Sequence, residues 1–503
     1  MLIDRQFYNP AILGLPSRRI WHEDSEHLFA LRTGRSGSGP PLCRGRMQKG
    51  RFAMKLTGSS HKGGASRRRV LQGMGAAGVA AAAGTFGLTS RAHAQQVTLR
   101  WWSPQSSPAQ LAAYRAQIAA FEAANPDIKV MFEPTSDEGY ATQLAAAFAS
   151  GEVPHIVTHL PSFAVQTYYA EGLIEPFNDV IEAIGPDKYY EGANEVYKAA
   201  DGNFVGTGIG NTAADMLWVR RDLMEQAGVD KIPVTWDELR SACQKMQGGG
   251  VFGAPLPYGL NSMTSLIFIG FIHRAGGSVF SPDLEVALDS QATYDALEFY
   301  ASMRELSPPG ATGYSWGESL TAFVSGATAT GIYAGRVLAN VTAQNPAIAG
   351  QVTNATYPRM SEDIPAWTFN DFPSVFIPAQ ADNKDAAKRF AAFLFEPPGY
   401  IEQLHAAPGH VLPVLRTISE DPAYQDNEII EQFTEEVDLM AAAAAAGHNL
   451  GYETPQHESN AKAGEIIASN AIAEMVQRVV LNDEDPKAVV GATALRLEEI
   501  MNS

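Results

Sequence analysis

Strand-like and helix-like stretches alternate along most of the chain. Positions 97–102 form an apolar run of β-branched and aromatic residues and predict a strand. After a loop over 103–108, Leu111, Tyr114, Ile118 and Phe121 recur at spacings of three and four, which places them on one helical face. Asn125-Pro126-Asp127 stops that helix, because proline cannot continue it. A strand over 128–132, a helix over 140–148 closed by Gly151, a strand over 156–158 and a helix over 163–170 follow. This alternation predicts an α/β fold, a parallel sheet covered by helices.

The pattern continues with a strand over 216–219 and a helix over 222–227. Thr235-Trp236-Asp237-Glu238 has the form of a capping box, in which the Thr235 hydroxyl and the Glu238 carboxylate each accept from the other's backbone N–H, so a helix runs from there to about Met246. Positions 265–272 are strongly apolar and predict a buried helix, broken by Gly276-Gly277. Ser290 caps a helix that turns Tyr294, Leu297, Tyr300 and Met303 inward. One or two helical turns over 319–324, a strand over 330–333, a strand within 371–378 and a helix over 384–394 come next. Residues 425–446 read as helical, and 461–480 and 486–501 as two last helices. Gly206, Gly208 and Gly210 lack dinucleotide-binding spacing and open no helix, so they read as a loop.

One stretch stands apart. Ser66-Arg67-Arg68-Arg69-Val70-Leu71-Gln72 resembles the twin-arginine export motif, with Val70 and Gln72 where Phe and Lys are usual. The uncharged Ala/Gly run 73–88 is too short and too weakly apolar for a membrane span, which takes roughly 20 strongly apolar residues. Ala92-His93-Ala94 has the small-x-small form of a cleavage site. An ordinary helix with a basic tail would explain the arginines but not the three features together. Residues 54–94 are therefore expected to be a signal peptide and the mature chain to begin near Gln95. Residues 1–53 show no periodicity, and Met54 or Met47 suits the start of translation, so 1–53 is expected to be a non-native or disordered extension.

Composition narrows the function. With 503 residues, 45% hydrophobic and 18% charged, the chain suits a globular protein with room for two domains. Residues 1–94 hold 15 of the 37 Lys and Arg but only 4 of the 55 Asp and Glu, which leaves the remainder at −29. A surface so acidic argues against nucleic acid. Of the two cysteines only Cys243 follows the cleavage site, so no internal disulfide is expected and Cys243 reads as a buried thiol. No H-E-x-x-H, C-x-x-C, G-x-S-x-G or Walker loop is present, and neither metal nor cofactor is expected.

Several segments, in order, resemble the periplasmic solute-binding proteins of sugar-type ABC importers, the class containing maltose-binding protein. Ile118 to Val130, with Phe121 and Asn125-Pro126-Asp127-Ile128, resembles their opening helix–turn–strand. Pro154-His155-Ile156-Val157 is similar to Pro-Asp-Ile/Val-Val, with His155 in place of Asp. Leu217-Trp218-Val219-Arg220-Arg221-Asp222-Leu223 resembles Leu-Trp-Tyr-Asn-Lys-Asp-Leu, and Thr235-Trp236-Asp237-Glu238-Leu239 follows at the usual distance. Ala275-Gly276-Gly277, the segment Phe323 to Ala329 and Asn383-Lys384 with Ala387 and Phe390 complete the series. The resemblance implies a two-lobe periplasmic-binding-protein fold of class II, with a ligand cleft between lobes joined by hinge crossings. It places lobe 1 at 95–211 and 372–412 and lobe 2 at 212–371 and 413–503. It further implies a monomer in the periplasm that closes around a sugar, polyol or sugar-phosphate-like solute and docks on ABC permease transmembrane subunits. The alternatives are a periplasmic enzyme exported folded and a soluble receptor that presents its solute to a sensor.

Sugars need aromatic platforms and fixed polar groups, and clefts in α/β sheets open at the carboxyl ends of strands. Trp102, Ser103 and Gln105 follow the first strand, Asp137 and Glu138 the second, and His159 the third. Asn211 and Asp371 lie on crossings, and Trp316 and Trp367 precede a short helix and a crossing. Core packing is the competing reading of each tryptophan, a solvated helix cap that of Asp137 and Glu138, and a plain turn that of Gly277. Tyr333 stands three residues before Arg336, where many family members carry an aromatic residue. An arginine there suits paired hydroxyls or an anionic group, against a salt bridge near the hinge.

Overall fold

The computed structural model describes residues 96–503 except 137–138, 191–192, 455 and 457–458. The expected extension over 1–53, the export segment over 54–94 and the candidates Asp137 and Glu138 lie outside the described residues.

β1 (Val97–Ser103) runs between β2 (Ile128–Pro134) and β3 (Ile156–Thr158), parallel to both, in registers Val97↔Ile128 and Trp101↔Ile156. β10 (Ser374–Phe376) adds antiparallel to β3, and β4 (Thr207–Gly208) antiparallel to β10. The sheet order is β2-β1-β3-β10-β4, so one antiparallel strand, β10, interrupts the expected parallel sheet and β4 beyond it runs parallel to β1–β3 again. The glycine stretch expected to be a loop supplies β4. It approaches its neighbours closely, since a Cβ on Gly206 would lie 2.8 Å from the Val375 carbonyl oxygen.

The helix Pro108–Ala124 starts on a capping box, with the Ser107 hydroxyl accepting from Gln110 N–H and the Gln110 side chain accepting from Ser107 N–H. Its Tyr114 ring packs on Trp101 at 4.7 Å, and Trp101 also meets Phe132 and Phe390. These rings anchor the first hydrophobic core.

The second core surrounds a three-stranded sheet, β7-β6-β8, built from β6 (Met216–Arg220), β7 (Thr330–Tyr333) and β8 (Val352–Ala355). All five residues of β6 are buried. The Thr235 capping box forms, and its helix ends at Met246. The helix Ser262–Arg274, capped by Asn261, is buried at every position from Met263 onward, as its unbroken apolar run requires. Cys243 is free and buried, and burial pushes its thiol up to about 12, which leaves it unreactive.

Three segments join the cores. β5 (Thr212–Ala213) pairs antiparallel with β9 (Asn370–Asp371), and Asn211 bridges to Leu412. Side chains alternate across this narrow ribbon, so Thr212 and Asp371 share one face while Ala213 and Asn370 share the other. After the third crossing the chain stays on the first lobe longer than the boundary at 412/413 implies. Val414, Leu415, Ile418, Tyr424 and Ile430 all pack in the first core, and Phe433 marks the return to the second.

Two helical stretches are broken where a single run was expected. Residues 425–446 fall into pieces ending in Thr434–Ala445, because Asn427 is extended and its side chain accepts from Ile429 and Ile430 N–H to start a new helix. Residues 461–480 split into Ala463–Ala468 and Ala471–Val480, with Asn470 left-handed at φ 55° between them. Among the described residues no helix is long and apolar enough to cross a membrane.

Candidate functional site

β1 and β3 end side by side, and their first residues beyond the sheet meet. His159 adopts φ 65°, a left-handed conformation that is costly for a β-carbon-bearing residue, and its N–H is fixed on the Ser374 carbonyl at 2.8 Å. This turn sets its imidazole Nδ1 3.3 Å from the Ser103 hydroxyl. Gln105 folds over the same hydroxyl, donating its N–H to Ser103 Oγ, and its side-chain oxygen accepts from Gln110 Nε2.

The second lobe reaches this group through the end of β7. Tyr333-Ala334-Gly335 leads into the helix Arg336–Gln344, and Gly335 comes so close to the Gly409 carbonyl that no Cβ fits between them. Arg336 Nη2 donates to Gln105 Oε1 at 2.9 Å and lies 2.9 Å from His410 Nε2. A guanidinium only donates, so His410 Nε2 must accept, and the imidazole proton then sits on Nδ1. That Nδ1 is buried and has no hydrogen-bond partner. Burial first, and the Arg336 charge second, hold both imidazoles neutral, pulling His159 down to about 3 and His410 well below the usual histidine range. Burial raises the Tyr114 hydroxyl, which bonds Ser103 beneath the group.

Ser103, Gln105 and His159 from the first lobe thus meet Arg336 from the second. Trp316 and Tyr333 form an edge-to-face pair on the second lobe, with ring centroids 5.6 Å apart. His410, Tyr114 and Gln110 join the group without having been singled out in the sequence. His410 lies on the third crossing, and that position alone was a usable signal. Tyr114 and Gln110 sit among ordinary helix residues and carried none.

Other candidates lie elsewhere. Trp102 donates its indole N–H to Glu133 at 2.5 Å with Arg100 over its ring, and is buried in the first core. Trp367 stacks on His273 at 4.6 Å and donates to the Glu453 carbonyl inside the second core. Gly277 spends its N–H on the Ile272 carbonyl and packs against Ala292, so it presents no donor to the group.

The two hinge candidates face opposite ways. The Asp371 carboxylate accepts from Ser162 N–H, its Oδ1 is buried without a partner, and burial pushes the carboxyl up to about 7. Thr212, on the same face, donates to the His410 carbonyl. Asn211 instead lines a cavity of about 1150 Å³ with Asn370 and Phe372, walled by Tyr190 on the first lobe and by Val437 and Ala441 on the second.

The profile of the bacterial extracellular solute-binding protein family matches residues 105–401, more than half of the chain. The putative ABC transporter periplasmic-binding protein YcjN of Escherichia coli K12 is 23% identical over 391 residues, covering 76% of this chain and 88% of that protein. Among solved structures, maltose-bound MalE3 of T. maritima superposes with a TM-score of 0.70 at 20% identity, covering 80% of this chain and all of that one. An ABC transporter solute-binding protein of Agrobacterium radiobacter K84 in complex with ribitol gives 0.68 at 20% identity, covering 80% of this chain and 98% of its own. These structural likenesses establish the two-lobe fold.

Proposed function

The chain belongs to the bacterial extracellular solute-binding proteins, and from that premise we propose that it is the exported receptor of an ABC importer, binding a carbohydrate-like solute between its lobes and delivering it to transmembrane permease subunits. The observation that carries this reading is the meeting of Ser103, Gln105 and His159 with Arg336 on one face of the hinge ribbon. Such a group can surround a small polar solute, and its two halves ride on different cores. Neutral hydroxyl, amide and imidazole groups suit sugar hydroxyls, and the Trp316–Tyr333 pair offers an apolar face for C–H groups. Hinge closure then needs only that the solute bind the closed arrangement better than the open one. Similarity to structures holding maltose and ribitol supports the solute class.

The twin-arginine-like segment supports export and a periplasmic site of action, and a monomer suffices because one chain supplies both halves of the cleft. Binding and release, with no bond made or broken, is the chemistry this role requires. A thermal-shift panel of mono- and disaccharides, polyols and sugar acids tests it. At least one should raise the melting temperature in a concentration-dependent way and be recovered unchanged. Chemical conversion of the bound compound would overturn the receptor reading in favour of an enzyme.

A further inference from the structure

We propose that the solute carries a carboxylate, a sugar acid rather than a neutral sugar, and that Arg336 and His410 receive it. The inference rests on the receptor reading and names the chemistry of its ligand.

Charge is the first ground. Among the described residues no carboxylate lies within ion-pair distance of Arg336, in a chain whose other arginines largely pair with Asp or Glu. Its hydrogen bonds go to two neutral acceptors, Gln105 Oε1 and His410 Nε2, both through Nη2. The three hydrogens on Nε and Nη1 have no partner among the described residues. A partly buried guanidinium with only neutral company is an unbalanced charge, and an incoming anion corrects it.

The second ground is the tautomer that the Arg336 contact imposes on His410. His410 Nδ1 is a buried donor without an acceptor. Leaving such a donor unpaired is costly, and an acceptor oxygen brought by a ligand relieves that cost. The left-handed turn at His159 supplies a third neutral polar group at the same place, with conformational cost of the kind concentrated at functional sites.

The count of charges selects the anion. Arg336 is the only cation among the residues that form the group, and both imidazoles are neutral. One positive charge balances one negative charge, which fits a carboxylate. A phosphate, near −2 at neutral pH, would leave the site with excess negative charge in a strongly acidic protein. A planar carboxylate also matches the fork of a guanidinium.

Isothermal titration of the mature protein with matched pairs tests this: D-glucuronate against D-glucose, D-galacturonate against D-galactose, D-gluconate against D-glucitol, with glucose 6-phosphate as the dianion. At least one acid should bind 10-fold or more tightly than its neutral partner and than the phosphate, and Arg336→Gln should weaken it by roughly 10- to 100-fold while the circular dichroism spectrum is unchanged. Preference for a neutral sugar or polyol overturns the inference and leaves the receptor reading standing. Preference for the phosphate overturns the assignment of a carboxylate. Unchanged affinity in Arg336→Gln removes Arg336 from the site. Binding of none of these compounds, together with none of the wider thermal-shift panel, overturns the receptor reading and the inference with it.

Discussion

Asp371 gives a test of the hinge that needs no ligand. Its carboxyl sits on the β9 strand between the lobes, held up to about 7 from an ordinary 3.8 because burial removes water that only the Ser162 N–H partly replaces. The folded protein therefore keeps a proton between roughly pH 4 and 7 that the unfolded chain releases. Stability from this group is fully present below the unfolded pKa and is lost as pH rises through the folded one. A shift of about 3 units corresponds to about 4 kcal/mol if fully expressed. The residue is only partly buried, so solvent screening reduces this to about 2 kcal/mol. Asp371→Asn keeps an oxygen for the Ser162 N–H and cannot ionise. The variant should come within about 0.5 kcal/mol of the parent near pH 4.5 and exceed it near pH 8 by about 2 kcal/mol. For roughly 400 folded residues, with an unfolding entropy of about 0.9 kcal/mol/K, that is 2–3 °C in melting temperature. Scanning calorimetry of both proteins at the two pH values reads the double difference directly. An offset that is the same at both pH values would refute the account of a proton-bearing, desolvated carboxylate at the hinge.

Two further substitutions address packing. Asp215 accepts from Arg274 Nη2 and from Phe369 N–H at 2.8 Å, both charged side chains being fully buried with Arg274 against Tyr357 and Trp367. Asp215→Ala leaves the guanidinium uncompensated and should cost about 3–5 kcal/mol in denaturant unfolding; a loss below about 1 kcal/mol would contradict the pairing. Gly335 has φ −64° and ψ −5°, which any residue accepts, so Gly335→Ala acts only by the steric clash with the Gly409 carbonyl. It should weaken solute binding by pushing the lobes apart while each lobe stays folded, and titration alongside circular dichroism checks it; unchanged affinity would show that the contact opens without cost.

Much of the fold was legible because it rests on local signals. The Thr235 and Ser290 caps, the buried run of Ser262–Arg274 and the strand Thr330–Tyr333 each announce themselves within a few residues. Features set by distant contacts were not legible. β4 forms because Gly206 to Gly208 approaches β10, whose residues lie far along the chain. The break at Asn470 is marked by neither proline nor glycine at 469–471, and β8 and the helix Arg336–Gln344 were passed over altogether. The site divided on similar lines. Strand ends pointed to Ser103, Gln105 and His159, but Trp102 alternates onto the other face of β1, and Trp367 answers to His273 and Glu453, which no spacing reveals. Spacing pointed to Arg336, and only the fold brought it to His410.

The two faces of the hinge ribbon explain why the cleft is tight while a cavity stands open. Thr212 and Asp371 face the side where Ser162 and His410 lie, and there the lobes touch through Arg336 and Gln105. Asn370, on the other face, opens onto about 1150 Å³ bounded by both lobes. The Arg336–Gln105 contact and the cavity walled by Tyr190, Val437 and Ala441 thus lie on different sides of the same crossing segments. Polar contacts between the lobes are spread over two places: Arg336 with Gln105 and His410, and the helix Ser162–Ala170, where Thr167 Oγ1 donates to the Ala461 carbonyl and Asn449 Nδ2 donates to Ser162 Oγ. Hydrogen bonds of this kind contribute about 1 kcal/mol each. The proposed carboxylate would take the Arg336 hydrogens on Nε and Nη1 and the His410 Nδ1 hydrogen and leave the Nη2 bonds to Gln105 and His410 in place, so the guanidinium that joins the lobes also selects the solute.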